Sequence, residues 1–266
     1  MPTRRIGIHD VPVIGMGTSG TFEVDDDELG SRAAIVDAAL DLGGTLFDSS
    51  PMYGRAEYVL SEALATRRAE ALIATKVWTP DDATAERQIV DSLRFFGGRV
   101  ELFQIHNLVE WPTRLAQLER EKAAGNIDEI GATHYRASAF TELETVMKTG
   151  RISFIQIPYN PIEREVEERI LPLAADMNMG VLIMRPFARA DLFRRVPTAD
   201  ELAPLSEFGI ATWSQALLQW GLSDTRTSAS IPATSKLARV SENIAAGSMG
   251  PLNDDARRYV AQLAQR

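Results

Sequence analysis

The fold is decided by LIATKVWTPDDATAERQIVDSLRFFGGRVELFQIHN, residues 72–107. The two ends of this stretch, 72–77 and 101–107, are short runs rich in β-formers. Between them, apolar residues recur every three or four positions, as at Ile89, Leu93 and Phe96, which is the spacing of one helix face. The segment opens on Asp81 and closes on Gly97, which are typical helix start and stop residues. The stretch therefore predicts a strand, a helix and a second strand.

The same unit recurs along the whole chain. We predict eight strands, each followed by a helical segment, at 13–18, 46–50, 72–77, 101–107, 130–135, 154–160, 181–187 and 229–234. Eight parallel strands favour a closed barrel, because an open sheet would leave two unpaired edges. We therefore predict an α/β fold of the (β/α)8 TIM-barrel type, formed as a single domain by residues 1–266, with short rim loops and an extra helix at Asp254–Ala264.

Composition narrows the class of partner. The chain has 266 residues, of which 45% are hydrophobic and 24% charged, as in ordinary globular proteins. A formal charge of -9 argues against binding to nucleic acid or to an anionic membrane. With no cysteine, the chain suits the reducing cytoplasm, where we expect it. The stretch after Arg4 and Arg5 is broken by polar residues and predicts no signal peptide, and no segment has the ~18 apolar residues of a membrane span.

Four polar residues are placed where a barrel enzyme carries its chemistry. Asp48, Lys76 and His106 end the second, third and fourth predicted strands, and Tyr53 follows in the loop after the second. Consecutive strands are neighbours, and their C-terminal ends form the catalytic rim of such barrels. Each residue taken alone has a structural explanation, as a turn residue, a strand end, a core histidine or a packing aromatic. Together they predict a proton-donor unit.

The chemistry of this unit depends on a cation near the tyrosine. Tyrosine loses its proton near pH ~10 in water, which makes it a weak acid at neutral pH. An ammonium ~4 Å away at an effective dielectric of ~20 contributes ~4 kcal/mol, enough to bring the pKa of Tyr53 towards neutrality if Lys76 lies beside it. Asp48 would hold Lys76 charged and in place, and His106 would orient a carbonyl oxygen.

At these residues the chain resembles the aldo-keto reductase superfamily, whose fold is an eight-stranded barrel and whose catalytic group is an Asp, Tyr, Lys and His tetrad. The motifs are FDSSPMYG at 47–54, ATKVW at 74–78 and QIHN at 104–107, and the likeness extends from GMGT at 15–18 to IPATSKLARVSEN at 231–243. The resemblance implies an NADP-dependent oxidoreductase that reduces an aldehyde or ketone to an alcohol, with hydride from NADPH and with Tyr53 as general acid.

The last motif is the most specific for the cofactor. In the family this strand-to-helix turn holds the adenosine 2'-phosphate of NADP, so the resemblance implies contacts from Thr234, Ser235, Lys236, Arg239, Glu242 and Asn243. We expect Ser235 to cap a helix whose N-terminus favours an anion, with Lys236 and Arg239 on one face. The alternative is an ordinary capped helix with basic residues on its surface.

The resemblance also implies contacts at the other end of the cofactor. These are Thr18 near the nicotinamide ribose, Thr133, His134 and Gln156 on the carboxamide, and Arg185, with Arg189, near the pyrophosphate. Met184 stands where the family commonly has an aromatic residue stacked on the nicotinamide. For a small-molecule carbonyl substrate we expect an open pocket that includes Trp78 and Asn107, with the loop Ala188–Pro204 as its main cover. We expect a monomer or a weak oligomer.

Three other interpretations fit parts of the sequence. GMGTSG at 15–20 fits G-x-G-x-x-G, but no helix follows it directly, so a Rossmann site is rejected. A metal-dependent hydrolase using Asp48, His106 and His134 lacks ligands, since the chain has three histidines and no H-x-H or H-E-x-x-H pair; we predict no metal site. A non-enzymatic regulatory subunit that binds the cofactor is the third, and the complete tetrad argues against it.

Overall fold

Eight parallel strands surround the centre of the computed structural model, which describes residues 1–266. The chain forms ten strands in all, of which the first two make a separate pair: β1 (Thr3–Ile6), β2 (His9–Pro12), β3 (Met16–Gly17), β4 (Leu46–Asp48), β5 (Leu72–Val77), β6 (Val100–His106), β7 (Ile127–Thr133), β8 (Phe154–Pro158), β9 (Gly180–Met184) and β10 (Ala229–Ser230). β3 to β10 pair in chain order, all parallel. Bridges from Ile14 to Ser230 and from Gly17 to Ala233 bring the first and last of them together. The predicted (β/α)8 barrel is confirmed.

The seam of the barrel differs in detail from the prediction. Strands were expected at 13–18 and 229–234, but β3 and β10 have only two residues each. Pro232, in the middle of the predicted last strand, has no N–H to donate to a ladder. Its carbonyl still accepts the N–H of Gly17 at 3.1 Å. The seam, where the first and last strands of the barrel meet, is therefore closed by individual hydrogen bonds and isolated bridges instead of a continuous ladder.

The helices form the outer layer. They are α1 (Leu29–Asp41), α2 (Ala56–Leu64), α3 (Asp82–Phe95), α4 (Trp111–Ala123), α5 (Phe140–Lys148), α6 (Ile170–Asp176), α7 (Ala199–Leu202), α8 (Trp213–Leu222), α9 (Leu237–Ala246) and α10 (Asp254–Ala264). Asp81 caps α3 by accepting the N–H of Thr84 at 2.8 Å. The predicted extra helix is confirmed as α10, which Asn253 caps. None of the helices combines the length and the apolar character of a membrane span.

A β-hairpin that was not predicted closes the N-terminal end of the barrel. β1 and β2 pair antiparallel, and Gly7 in the turn between them has φ 54°, a conformation that favours glycine. Ile6 and Val11 of the hairpin are fully buried among the residues that fill the lower barrel, including Leu102 and Phe154. The hairpin therefore acts as a hydrophobic plug at the end opposite the predicted catalytic rim.

Candidate active site

A buried ion pair lies at the C-terminal ends of β4 and β5. Lys76 donates to Asp48 Oδ1 at 2.8 Å, to Asp48 Oδ2 at 2.7 Å and to the carbonyl of Ser49 at 2.7 Å. Lys76 is 1% exposed and Asp48 3%, so both charges are removed from water and depend on each other. Burial opposes the charge on Lys76, but Asp48 and Tyr53 outweigh it and hold the pKa of Lys76 above its ordinary value.

A short 3-10 turn at Pro51–Tyr53 carries the tyrosine over this ion pair. The turn is fixed by Ser50, whose carbonyl accepts the N–H of Tyr53 at 3.0 Å. The ammonium of Lys76 lies 5.3 Å from the centre of the Tyr53 ring, and the ring of His106 lies 5.9 Å from it, edge to face. The four residues predicted to form a proton-donor unit, three at strand ends and one in a loop, therefore lie close together.

The acidity of Tyr53 departs from the expectation. Burial raises the pKa of Tyr53 above its ordinary value; the charge of Lys76 lowers it, and that of Asp48 raises it again. The prediction that Lys76 would bring this pKa towards neutrality is therefore wrong. It counted one cation in isolation, whereas in the fold the cation is paired with a carboxylate and the phenol is largely desolvated, which disfavours the phenolate.

His106 is held neutral at the end of β6. Burial and the nearby charge of Lys76 lower the pKa of His106 to about 2. Its Nδ1 lies 3.0 Å from Ser50 Oγ, whereas its Nε2 has no protein partner. His106 also lines the cleft described below. A neutral imidazole has one donor and one acceptor nitrogen, so it can orient a polar group in the cleft without carrying charge.

Two buried glutamines complete the surroundings of Asp48. Gln104 Nε2 donates to Oδ1 at 3.2 Å, and Gln156 Nε2 makes a long contact of 3.4 Å with Oδ2. Gln156 was predicted as a cofactor residue, but Gln104 was missed. The sequence could have indicated Gln104, because it precedes His106 by two positions and residues two apart on a strand lie on the same face. The Oε1 atoms of both glutamines are buried without a partner.

One continuous cleft of about 790 Å³ links this centre to α9. Among the predicted residues, those that line it are Asp48, Tyr53, His106, Asn107, Gln156, Arg185, Thr234, Arg239 and Asn243. The other predicted cofactor and substrate residues, which are Thr18, Trp78, Thr133, His134, Ser235, Lys236 and Glu242, do not line it. The predicted residues thus fall into two groups, those that line the cleft and those that do not.

Two polar side chains have partners other than those expected. The hydroxyl of Thr18 is fully buried and lies 3.0 Å from the carbonyl of Asp48 and 2.9 Å from Ser49 Oγ, so it faces β4 instead of the cleft. The expectation that Ser235 caps α9 is wrong, because the N-cap is Lys236 and has no side-chain cap. Thr234 Oγ1 accepts the N–H of Lys236 at 3.1 Å. The N-cap of α9 therefore lies one residue later in the chain than the predicted Ser235.

The end of β7 also differs from the expected arrangement. His134 Nδ1 accepts the N–H of Arg136 at 3.0 Å, and its ring stacks on Tyr135 at 5.4 Å. Tyr135, which was not predicted, is the residue of this segment that lines the cleft. Trp78 is 40% exposed and lies outside the cleft lining.

The loop after β9 forms one wall of the cleft. Arg185, Phe187, Arg189 and Phe193 line it, and of these Arg189 and Phe193 belong to the loop Ala188–Pro204 that we expect to cover the site. The guanidinium of Arg185 lies 4.6 Å from the centre of the Tyr135 ring and 3.8 Å from Glu163. Both arginines adopt left-handed backbone conformations, with φ of 54° and 56°, which L-residues adopt only where the surroundings compensate the strain.

The chemistry of Asp48 bears on the metal hypothesis. Both of its carboxylate oxygens already accept hydrogen bonds from Lys76, so they are not free as metal ligands. No group of three or more His, Asp or Glu side chains is arranged to hold a metal ion.

Comparison with known proteins gives a consistent family. The family model of the Aldo/keto reductase family matches residues 13–265. Aldo-keto reductase YhdN of Bacillus subtilis is 30% identical over 201 residues, which cover 66% of this chain and 58% of that protein. Methylglyoxal reductase YeaE of Escherichia coli is 27% identical over 250 residues, which cover 90% and 86%.

Solved structures agree in fold. The holo form of aldo-keto reductase AKR11C1 from Bacillus halodurans superposes with a TM-score of 0.81 at 26% identity, covering 99% of this chain and 96% of that one. An aldo/keto reductase from Klebsiella pneumoniae, in complex with NADP and acetate, has a TM-score of 0.79 at 24% identity, covering 99% and 94%.

Proposed function

This chain belongs to the aldo/keto reductase family, and we propose that it reduces an aldehyde or ketone to an alcohol with NADPH, using Tyr53 as the general acid. It is an NAD(P)-dependent oxidoreductase acting on carbonyl groups, as its family and its oxidoreductase relatives imply. The observation that carries the finer proposal is the convergence of Tyr53, His106 and the Lys76–Asp48 pair on one cleft.

The cleft suits a nicotinamide dinucleotide. It is long enough to connect Gln156 in the barrel mouth with Arg239 on α9, and Gln156 brings a buried acceptor, Oε1, that has no partner in the protein. A carboxamide N–H satisfies such an acceptor, and leaving it unpaired is unfavourable by about 1–3 kcal/mol. We assign Gln156 to the nicotinamide end, and Thr234, Arg239 and Asn243 to the adenosine 2'-phosphate end. When bound, the reduced nicotinamide supplies the hydride.

Tyr53 is the group best suited to give the proton. The oxygen of the substrate gains negative charge as its carbonyl is reduced, and an alkoxide is a stronger base than a phenolate, so a tyrosine with a raised pKa still protonates it. His106 is neutral at every pH of interest and is poorly suited to be the acid. Lys76 stabilises the phenolate that forms on Tyr53, and Asp48 holds Lys76 in position.

His106 has a separate task. His106 lines the cleft and its Nε2 has no protein partner, so in the proposed reaction it donates a hydrogen bond to the carbonyl oxygen and aims that oxygen at the hydroxyl of Tyr53. Its pKa of about 2 keeps it from becoming a charged competitor of Lys76.

The test is NADPH oxidation, followed by absorbance, against a panel of aldehydes, ketones and sugars with the wild type and Tyr53→Phe. Because a general acid contributes typically ~10²–10⁴-fold, we expect turnover by Tyr53→Phe to fall by that factor while the dissociation constant of NADPH stays unchanged. Tyr58→Phe is the matched control, since Tyr58 packs on Phe95 and lies outside the cleft lining.

Two results would contradict the proposal. Turnover retained by Tyr53→Phe would remove Tyr53 from the role of acid. Tight binding of NADPH by the wild type without oxidation by any carbonyl would favour a regulatory subunit that binds the cofactor but does not use it.

A further inference from the structure

The side chain of Ser50 connects the two polar groups that face the carbonyl in the proposed reaction. Ser50 is fully buried, and its Oγ lies 3.0 Å from His106 Nδ1. The same oxygen accepts the N–H of Met52 at 3.2 Å and so caps the turn that carries Tyr53. One hydroxyl therefore contacts both the histidine and the turn of the tyrosine.

The direction of the hydrogen bond to His106 follows from the available partners. Met52 N–H uses Ser50 Oγ as an acceptor, and the hydroxyl hydrogen of Ser50 has one acceptor within reach, His106 Nδ1. If Nδ1 carried the proton and donated instead, the hydroxyl hydrogen would be buried without a partner, which is unfavourable by about 1–3 kcal/mol. Ser50 O–H therefore donates to Nδ1, and the ring proton lies on Nε2.

The position of this proton decides what His106 presents to the cleft. With the proton on Nε2, the ring offers a donor to the carbonyl oxygen. With the proton on Nδ1, it would offer a lone pair, which repels the same oxygen. The doubly protonated form is disfavoured because the pKa of His106 lies at about 2, so the choice between the two neutral tautomers is the one that matters.

We propose that Ser50 is a positioning residue that fixes His106 in the tautomer protonated on Nε2, so that the histidine is a permanent hydrogen-bond donor to the substrate carbonyl. The catalytic meaning of this tautomer rests on the proposed function. The tautomer itself is a property of the folded chain and is measurable without turnover.

The first measurement is the ¹⁵N spectrum of the histidine rings in the complete, folded protein. The chain has only three histidines, and a His106→Asn spectrum identifies the signals of His106. We expect the wild type to show Nδ1 as the unprotonated nitrogen and Nε2 as the protonated one at neutral pH. Ser50→Ala should shift both signals towards a mixture of tautomers, whereas Ser50→Thr, which keeps the hydroxyl and suits an extended backbone, should retain the wild-type pattern.

The second measurement is steady-state kinetics with the best carbonyl substrate. Partners that orient metal-binding histidines typically contribute ~10–100-fold to activity, and we expect a loss of similar size in kcat for Ser50→Ala, with NADPH affinity unchanged and with activity restored by Ser50→Thr. Ser92→Ala is the control, since it removes a buried serine hydroxyl that hydrogen-bonds Glu57, away from the cleft.

The proposal is overturned if wild-type His106 carries its proton on Nδ1, or if Ser50→Ala leaves both the ¹⁵N signals and kcat unchanged. The wild-type spectrum decides the first point even if Ser50→Ala does not fold. Failure of the proposed function would show itself differently, as absence of turnover by the wild type on every carbonyl, with the tautomer still readable.

Discussion

At the scale of single residues, the candidate site combines one buried charge pair with neutral donors. Lys76 and Asp48 form an ion pair with 2.7 Å between Nζ and Oδ2. Tyr53 and His106 both remain uncharged in the resting protein, because burial raises the pKa of the phenol and lowers the pKa of the imidazole. The charge that appears in the proposed reaction therefore forms beside a buried ion pair, in an environment that is already polarised, where preorganised dipoles stabilise it.

Arg239 provides a test of the cofactor assignment at this scale. Arg239 lines the α9 end of the cleft and pairs with Glu242 at 2.5 Å. Hydrogen bonds to a charged group contribute about 1.5–3 kcal/mol, so Arg239→Ala should weaken NADPH binding roughly 10- to 150-fold and leave NADH binding nearly unchanged. Fluorescence titration with both nucleotides measures this.

The control for that titration is Arg258→Ala. Arg258 is an exposed arginine of α10 that pairs with Asp255 and lies outside the cleft, so its loss should affect neither nucleotide. An equal loss of NADPH and NADH affinity in Arg239→Ala would mean that the arginine contacts a part common to both cofactors.

At the scale of elements, α2 is attached to the barrel by a buried carboxyl group. Glu57 accepts hydrogen bonds from Thr75 of β5 at 2.5 Å and from Ser92 of α3 at 2.7 Å. Burial raises the pKa of Glu57 to about 7. The helix that follows the Tyr53 turn is therefore docked through a group that changes its protonation near neutral pH.

This docking predicts a pH dependence of stability. Since the pKa of Glu57 is higher in the folded than in the unfolded chain, the folded state binds more protons between these values, and stability falls as pH rises. The contribution is present below the ordinary glutamate pKa of 4.5 and is lost as pH rises through about 7, on the order of 3 kcal/mol in total. Urea unfolding at pH 5 and pH 8 should show this loss in the wild type relative to Glu57→Gln.

The matched control is Glu62→Gln, which changes an exposed glutamate of the same helix and should keep the wild-type pH dependence. Parallel pH profiles for the wild type and Glu57→Gln would show that Glu57 does not titrate in this window.

At the scale of the whole molecule, the tightly packed core and the candidate active site lie at opposite ends of the barrel. The plug formed by β1 and β2 fills the N-terminal end, whereas the cleft opens at the C-terminal ends of the strands. Ile6 packs closely enough against β9 that a methyl group on Gly180 would lie 2.6 Å from its side chain. The lower core is therefore tightly filled, and a cavity there has no direct path to the candidate site.

Ile6→Ala tests this separation. Truncating a fully buried isoleucine lowers the free energy of unfolding by typically 2–5 kcal/mol, and we expect that loss together with unchanged kcat and KM at temperatures where the variant is folded. Ile8→Ala, in the turn of the same hairpin but 61% exposed, should change stability by less than about 0.5 kcal/mol. Chemical denaturation and kinetics on the three proteins measure both effects. Loss of activity in folded Ile6→Ala would mean that the two ends of the barrel are coupled.

The alternation of strands and helices was sufficient to predict the barrel, because eight parallel strands have few arrangements without open edges. The barrel in turn makes the ends of consecutive strands neighbours, so the sequence alone identifies Asp48, Lys76 and His106 as one cluster. The hairpin was missed because each of its strands has only four residues, and its burial depends on a cavity that exists only once the barrel closes.

The sequence by itself thus determined the architecture, the family resemblance and the convergence of the tetrad, since these depend on periodicity and on strand order. Only the tertiary structure decided the direction of individual side chains and the balance of charge and burial. The hydroxyl of Thr18 contacts the carbonyl of Asp48 in β4, and Ser235 is not the cap of α9. The pKa of Tyr53 is raised, and Ser50 hydrogen-bonds His106. Each outcome depends on residues that are distant in the chain, whose distances and desolvation no local pattern encodes.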